Sequence, residues 1–280
     1  MAKTKKLFAE LTRRGPHRVL RGDLAFAGLP GVVYTPESGM NLPGVAFGHD
    51  WLAGADRYDA TLEHLASWGI VAAAPNTETG LAPSVLNLAV DLGTTLDIVS
   101  GVRLGPGKIS VHPTKLAVVG HGFGGSAAVF AAAGMGAKVK TAVALFPAVT
   151  KPPAPQPAAG LRIPGLILAA PDDPLSIRSD AVELAAAWRG AALRTVAKAE
   201  PGGLLEGFRL TRVLGLPGAD KRTQKNVRAL LTGYLLHVLA GDKTYQDFAD
   251  PEAELPKTTP ADPRALNVAR EDKVVALLKR

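Results

Sequence analysis

The sequence contains no cysteine, which removes disulfides, thiolate metal sites and a cysteine nucleophile from consideration and makes no demand for an oxidising compartment. It has no apolar run long enough to span a bilayer, because the longest are interrupted by Gly, Pro or charge. The basic N-terminus lacks the continuous apolar stretch and small-residue cleavage site of a secretory signal. Histidine is scarce in one region: none of the six lies between Pro174 and Leu236. These absences lead us to expect a soluble, cytoplasmic chain. At 280 residues it is long enough for one large α/β domain or two small ones, and a chain of this size buries roughly 75% of its unfolded surface without covalent staples.

The excess charge sits at one end. Of a net +7, the residues up to Gly22 carry +6, from Lys3, Lys5, Lys6, Arg13, Arg14, Arg18 and Arg21 against Glu10. A basic arm on a near-neutral body attracts anionic lipid headgroups, nucleic acid or acidic protein surfaces. Residues 3–14 read as a short helix with Leu7, Phe8 and Leu11 on one side. Two readings stand: a helix lying on a membrane surface, weakly anchored by three apolar side chains, or an arm that packs its apolar side on the body. Nucleic acid is the disfavoured partner, since the arm lacks interleaved aromatics and matches no binding module. The expected contacts are Lys3, Lys5, Lys6, Arg13 and Arg14, towards a protein or the inner face of an anionic membrane.

Beyond the arm, short apolar runs at 31–34, 44–47, 70–74, 116–119, 141–145, 165–169 and 193–198 alternate with stretches of helical period at 56–68, 86–104, 177–188 and 223–239. That alternation predicts an α/β fold with a mainly parallel central sheet and helices on both faces. We divide the chain into an arm (1–22), an α/β domain (23–248) and a tail (249–280). Pro251, Pro256, Pro260 and Pro263 break up the tail, and its amphipathic end at 265–278 predicts a terminal helix.

Within this pattern, Leu116-Ala-Val-Val-Gly-His-Gly-Phe-Gly-Gly-Ser126 reads as a buried strand, a sharp glycine-lined turn and the start of a helix. That is the context of a nucleophile elbow, which projects its central side chain above the sheet. The central residue here is Gly122. Further segments carry a resemblance: Gly28-Leu-Pro-Gly-Val-Val-Tyr-Thr-Pro36 as an early strand pair, Pro43-Gly-Val-Ala-Phe-Gly-His-Asp50 as a strand and oxyanion loop, Leu65-Ala-Ser-Trp-Gly-Ile-Val71, Leu166-Ile-Leu-Ala-Ala-Pro-Asp-Asp173, and Gly241-Asp-Lys-Thr-Tyr-Gln-Asp-Phe248 as a closing segment. Together, over residues 15–248, they resemble the actinobacterial cutinase and polyester-hydrolase branch of the α/β-hydrolases, related to dienelactone-hydrolase-like proteins.

The resemblance implies a Ser-His-Asp triad, and two of its members are missing. Gly122 stands at the nucleophile position. The histidine expected near residues 201–208 is absent, and the sequence there reads Pro-Gly-Gly-Leu-Leu-Glu-Gly-Phe. Asp173 stands at the acid position, but such an aspartate only orients and stabilises the histidine. The aromatic platform, usually tryptophan in the family, is Phe146-Pro-Ala-Val149 here. The resemblance therefore points to a degenerate hydrolase used for binding, scaffolding or regulation, with His49, Asp50 and Phe123 lining a vestigial pocket. The N–H groups around Asp50 and Phe123 would still suit a small carboxylate or ester carbonyl. The alternative is an active esterase-like enzyme using His49, Asp50 and Asp173. Asp173 also reads as a helix N-terminal carboxylate before Ile177, and His121 and Ser126 as packing residues. His237 falls inside the last long helix. No cofactor is expected, and no spacing matches a metal signature.

Overall fold

The computed structural model describes residues 2–173, 176, 178–207 and 218–261. Nine strands form one sheet: β1 (Val19–Asp23), β2 (Gly31–Pro36), β3 (Gly39–Gly48), β4 (Val71–Pro75), β5 (Ile109–His121), β6 (Thr141–Leu145), β7 (Gly165–Ala169), β8 (Ala191–Val196) and β9 (Thr258–Pro260). Their order is β1-β2-β4-β3-β5-β6-β7-β8-β9. The six strands from β4 to β8 in that order run parallel; the pairings of β1 with β2, β2 with β4 and β8 with β9 are antiparallel. The fold class is α/β.

Alternation along each strand divides the core into two layers, because successive side chains leave opposite faces of a sheet. Val45, Phe47, Val143 and Leu145 face helices α1 (Ala2–Leu11), α2 (Asp59–Ser67) and α7 (Lys221–Ala240). Ala46, Val118, Ala142 and Ala144 face α3 (Val85–Gly101), α4 (Phe123–Met135), α5 (Pro155–Ala158) and α6 (Ala181–Ala187). Strands buried on both sides read as continuous apolar runs, which is why the central strands are visible in the sequence.

Two expectations change. Segment 28–36 supplies one strand rather than a pair; β2 lies between β4 and β1, the latter five residues (Val-Leu-Arg-Gly-Asp) on the sheet edge with no apolar alternation. Helix α6 begins at Ala181, not near Ile177, so Asp173 lies outside its first turn. The segment after Ala240 contributes β9, paired with β8. The helix expected at 265–278 lies outside the described residues.

The N-terminal helix spends its apolar side on the body. Phe8 and Leu11 are buried in the core with α7, and Leu7 packs against it. Thr4 donates to Asp247 at 2.6 Å, and the Trp68 indole N–H donates to the Arg13 carbonyl. Lys3, Lys5, Lys6, Arg13 and Arg14 remain exposed. Arg14 pairs with Glu63 at 3.3 Å, an exposed pair of small energetic weight. Among the described residues no helix is long and apolar enough to cross a membrane.

Candidate functional site

The chain runs from β3 to β4 on one side, then crosses back through α3 to β5 on the other side of β3. Strand order therefore reverses between β3 and β5, and a crevice at the carboxyl ends of such strands is where an α/β sheet places a ligand. His49 and Asp50 follow β3, and Gly122 follows β5, so the topology brings these sequence-distant residues together.

The turn at Gly122 has the elbow's form. β5 ends at His121, α4 begins at Phe123, and Gly122 between them has φ 55° and ψ −117°. Its neighbours are glycines for a steric reason: a Cβ on Gly120 would lie 1.9 Å from the Gly124 carbonyl oxygen, and one on Gly124 would lie 2.3 Å from the Gly48 backbone. Only bare backbone lets α4 approach β3 and β5 so closely.

The space above Gly122 is occupied. A Cβ there would fall 2.0 Å from Asp50 Oδ1. That oxygen accepts from the Phe123 N–H at 2.9 Å and from the Trp51 N–H at 2.8 Å. One donor follows the turn residue and the other comes from the loop after β3, an arrangement able to hold an anionic oxygen. The second donor is Trp51 rather than Asp50, whose own N–H goes to the Tyr58 hydroxyl at 2.9 Å. Sequence reading pointed to the N–H groups around Asp50 and Phe123 and did not identify the Asp50 carboxylate as their acceptor.

A buried network holds this arrangement. The Tyr58 hydroxyl lies 2.8 Å from His121 Nδ1, and His121 Nε2 lies 2.8 Å from the Pro201 carbonyl. One assignment fits these contacts: Nε2–H donates to Pro201, and Nδ1 accepts from Tyr58, which itself accepts from Asp50. Tyr58 was legible only as a packing residue. The missed signal is that a buried tyrosine hydroxyl requires a partner. The loop that the resemblance would furnish with a histidine is thus docked on His121 by its backbone.

The other candidates are committed elsewhere. His49 is fully buried, with Nδ1 3.0 Å from the Asp50 carbonyl and Nε2 2.6 Å from the Thr77 carbonyl. Both ring nitrogens thus face backbone carbonyls. Ser126 is fully buried and donates to the Ala148 carbonyl at 2.6 Å. His237 contacts the Asp242 carbonyl at the end of α7. Asp173 accepts from the Ala170 N–H at 2.7 Å, closing the turn after β7 instead of capping a helix. Among the described residues no group of three or more His, Asp or Glu side chains is placed to hold a metal ion.

Of the buried groups with shifted pKa values, Asp173 and His64 matter in mildly acidic solution, with opposite consequences. Burial pushes the Asp173 carboxyl up to about 6, against hydrogen bonds from Ala170 and Ser179 that favour its charged form. Burial lowers His64 to about 4, helped by the Arg228 cation; its Nε2 has no hydrogen-bond partner. Between pH 4 and 6.5 the unfolded chain protonates His64 and the folded chain does not, so this group makes stability fall as the pH drops. Between pH 4 and 6 the folded chain holds the Asp173 proton and the unfolded chain does not, so this group makes stability rise as the pH drops. Each contribution is of order 3 kcal/mol at full extent, so they largely cancel over pH 4–6. Urea unfolding against pH should show Asp173→Asn steepening the acid loss of stability and His64→Gln reversing it. Parallel pH profiles for wild type and both variants would contradict this balance.

Compared with known proteins, the chain matches no family model and no curated protein.

Proposed function

We propose that the protein is a catalytically silent, α/β-hydrolase-like protein whose function is carried by its surface, at an anionic membrane face, and not by its crevice. The reading rests above all on Asp50: its carboxylate takes the volume of the missing nucleophile side chain and both N–H groups of the oxyanion site. The hydrolase ancestry is supported by the mainly parallel sheet, by the strand–turn–helix at Gly122 and by Asp173 in the turn after β7. The alternative of an esterase built from His49, Asp50 and Asp173 is weakened by the backbone bonds that occupy His49. A fluorophosphonate probe, which labels activated serines, should leave the folded protein unlabelled; stoichiometric labelling would overturn the reading.

The surface contact is assigned to the exposed cations Lys3, Lys5 and Lys6 of α1 with Arg13 beyond it. Because Phe8 and Leu11 are used in the core, attachment would be electrostatic with no apolar insertion. Such binding is worth about 1 kcal/mol per cation near the surface and is screened over about 10 Å at 0.1 M salt. Replacing Lys3, Lys5 and Lys6 by Gln should therefore weaken co-sedimentation with phosphatidylserine-containing vesicles roughly 100-fold, and raising the salt should release the wild type. Binding that persists at high salt, or in the triple variant, would contradict this assignment.

A further inference from the structure

Asp50 behaves as a ligand that the chain supplies to itself. One of its oxygens receives both the Phe123 and Trp51 N–H groups and lies 2.0 Å from where the Cβ of residue 122 would be. We propose that this carboxylate is a tethered plug, closing a site that would otherwise take the carboxylate of a small organic acid. The inference rests on the geometry alone and holds whether or not the chain descends from a hydrolase, so ester turnover does not bear on it.

Three observations carry the proposal. First, the space holds a carboxylate oxygen: a Cβ on Gly122 would lie only 2.0 Å from Asp50 Oδ1, so a methyl group and the bound oxygen exclude each other. Second, the donors stay in place without the plug. The Phe123 N–H is fixed by the start of α4, and the loop after β3 is pinned through the Asp50 N–H to Tyr58 and onward to His121 and the Pro201 carbonyl. The Asp50 backbone is therefore held, and only its side chain has to rotate to clear the site. Third, the plug is reachable. Asp50 is half-buried, and the adjoining Trp51 and Leu52 are exposed. The Trp51 indole N–H donates to the carbonyl of Leu81, itself an exposed leucine, which gives the rim an apolar surface beside the two N–H groups. A compact monocarboxylate with a short alkyl tail matches this combination: its oxygen replaces that of Asp50 and its tail lies on Trp51 and Leu81. In the wild type an external acid must displace a tethered carboxylate whose local concentration is very high, so the site stays closed.

Chemical complementation tests this. Thermal unfolding of wild type, Asp50→Ala and Asp50→Ala/Gly122→Ala is compared in sodium acetate and in sodium chloride at matched ionic strength. Acetate should raise the Tm of Asp50→Ala saturably, by about 2–4 °C. It should leave the wild type unmoved, because its plug is in place, and the double variant unmoved, because the methyl group introduced by Gly122→Ala fills the space. Should Asp50→Ala fail to fold in chloride, its refolding yield in acetate against chloride becomes the readout, with Asp50→Ser as a second unplugged variant. No acetate-specific gain in either unplugged variant, or an equal gain in all the proteins, would overturn the proposal.

Discussion

Gly122→Ser should destabilise the protein by roughly 3–5 kcal/mol and, on the proposed reading, confer no hydrolysis. Two costs add. A non-glycine residue held at strained dihedrals such as φ 55°, ψ −117° pays about 1–3 kcal/mol. The new Cβ would also lie 2.0 Å from Asp50 Oδ1, so the carboxylate must leave the Phe123 and Trp51 N–H groups, losing two hydrogen bonds to a charged acceptor at about 1.5–3 kcal/mol each before water compensates. Because both substitutions act on one carboxylate, their effects should not add. Gly122→Ser in an Asp50→Ala background should cost only about 1–3 kcal/mol, the backbone part. Urea midpoints of the four proteins in this cycle measure the coupling. A stability-neutral Gly122→Ser, or strict additivity, would mean that Gly122 and Asp50 do not share the space.

Glu206→Ala should cost about 2–4 kcal/mol, because this side chain fixes the loop where a catalytic histidine would be required. Its carboxylate accepts from the N–H groups of Ala60 and Thr61 at 2.7 and 2.8 Å and from the Thr61 hydroxyl at 2.7 Å. It also pairs with Arg228 at 2.8 Å, the two side chains being only 13% and 19% exposed. Those N–H groups belong to the first turn of α2, which has no intrahelical acceptors and whose dipole favours an anion. Removal strands both the helix end and a half-buried guanidinium. Glu206→Gln keeps an acceptor but loses the charge, so its urea midpoint should fall between wild type and Ala. A cost below about 1 kcal/mol for Glu206→Ala would mean the contact is a surface pair of the ordinary kind.

Particular residues show what sequence reading reaches. The runs 141–145 and 165–169 coincide with β6 and β7 because strands buried on both faces are apolar throughout. β1 escapes because an edge strand reading Val-Leu-Arg-Gly-Asp buries little, and β9 because Thr-Thr-Pro is three residues long and ends in proline. The glycine turn between β5 and α4 is a local property of the sequence and is visible in it. What fills the turn is not, because Asp50 lies 73 positions from Phe123 and meets it only through the register of β3 on β5. The arm was ambiguous for the same reason: Leu7, Phe8 and Leu11 suit a lipid or a protein surface equally, and their actual partner is α7, at the far end of the described chain.

On the proposed function the crevice of this fold does no hydrolytic chemistry, since the Asp50 carboxylate fills the space above Gly122. Steady-state turnover of short-chain p-nitrophenyl esters by the purified protein tests it most directly, with His49→Ala and Asp50→Ala measured alongside. All three proteins should hydrolyse the esters at the buffer background. Saturable turnover by the wild type that is abolished by His49→Ala or Asp50→Ala would contradict it.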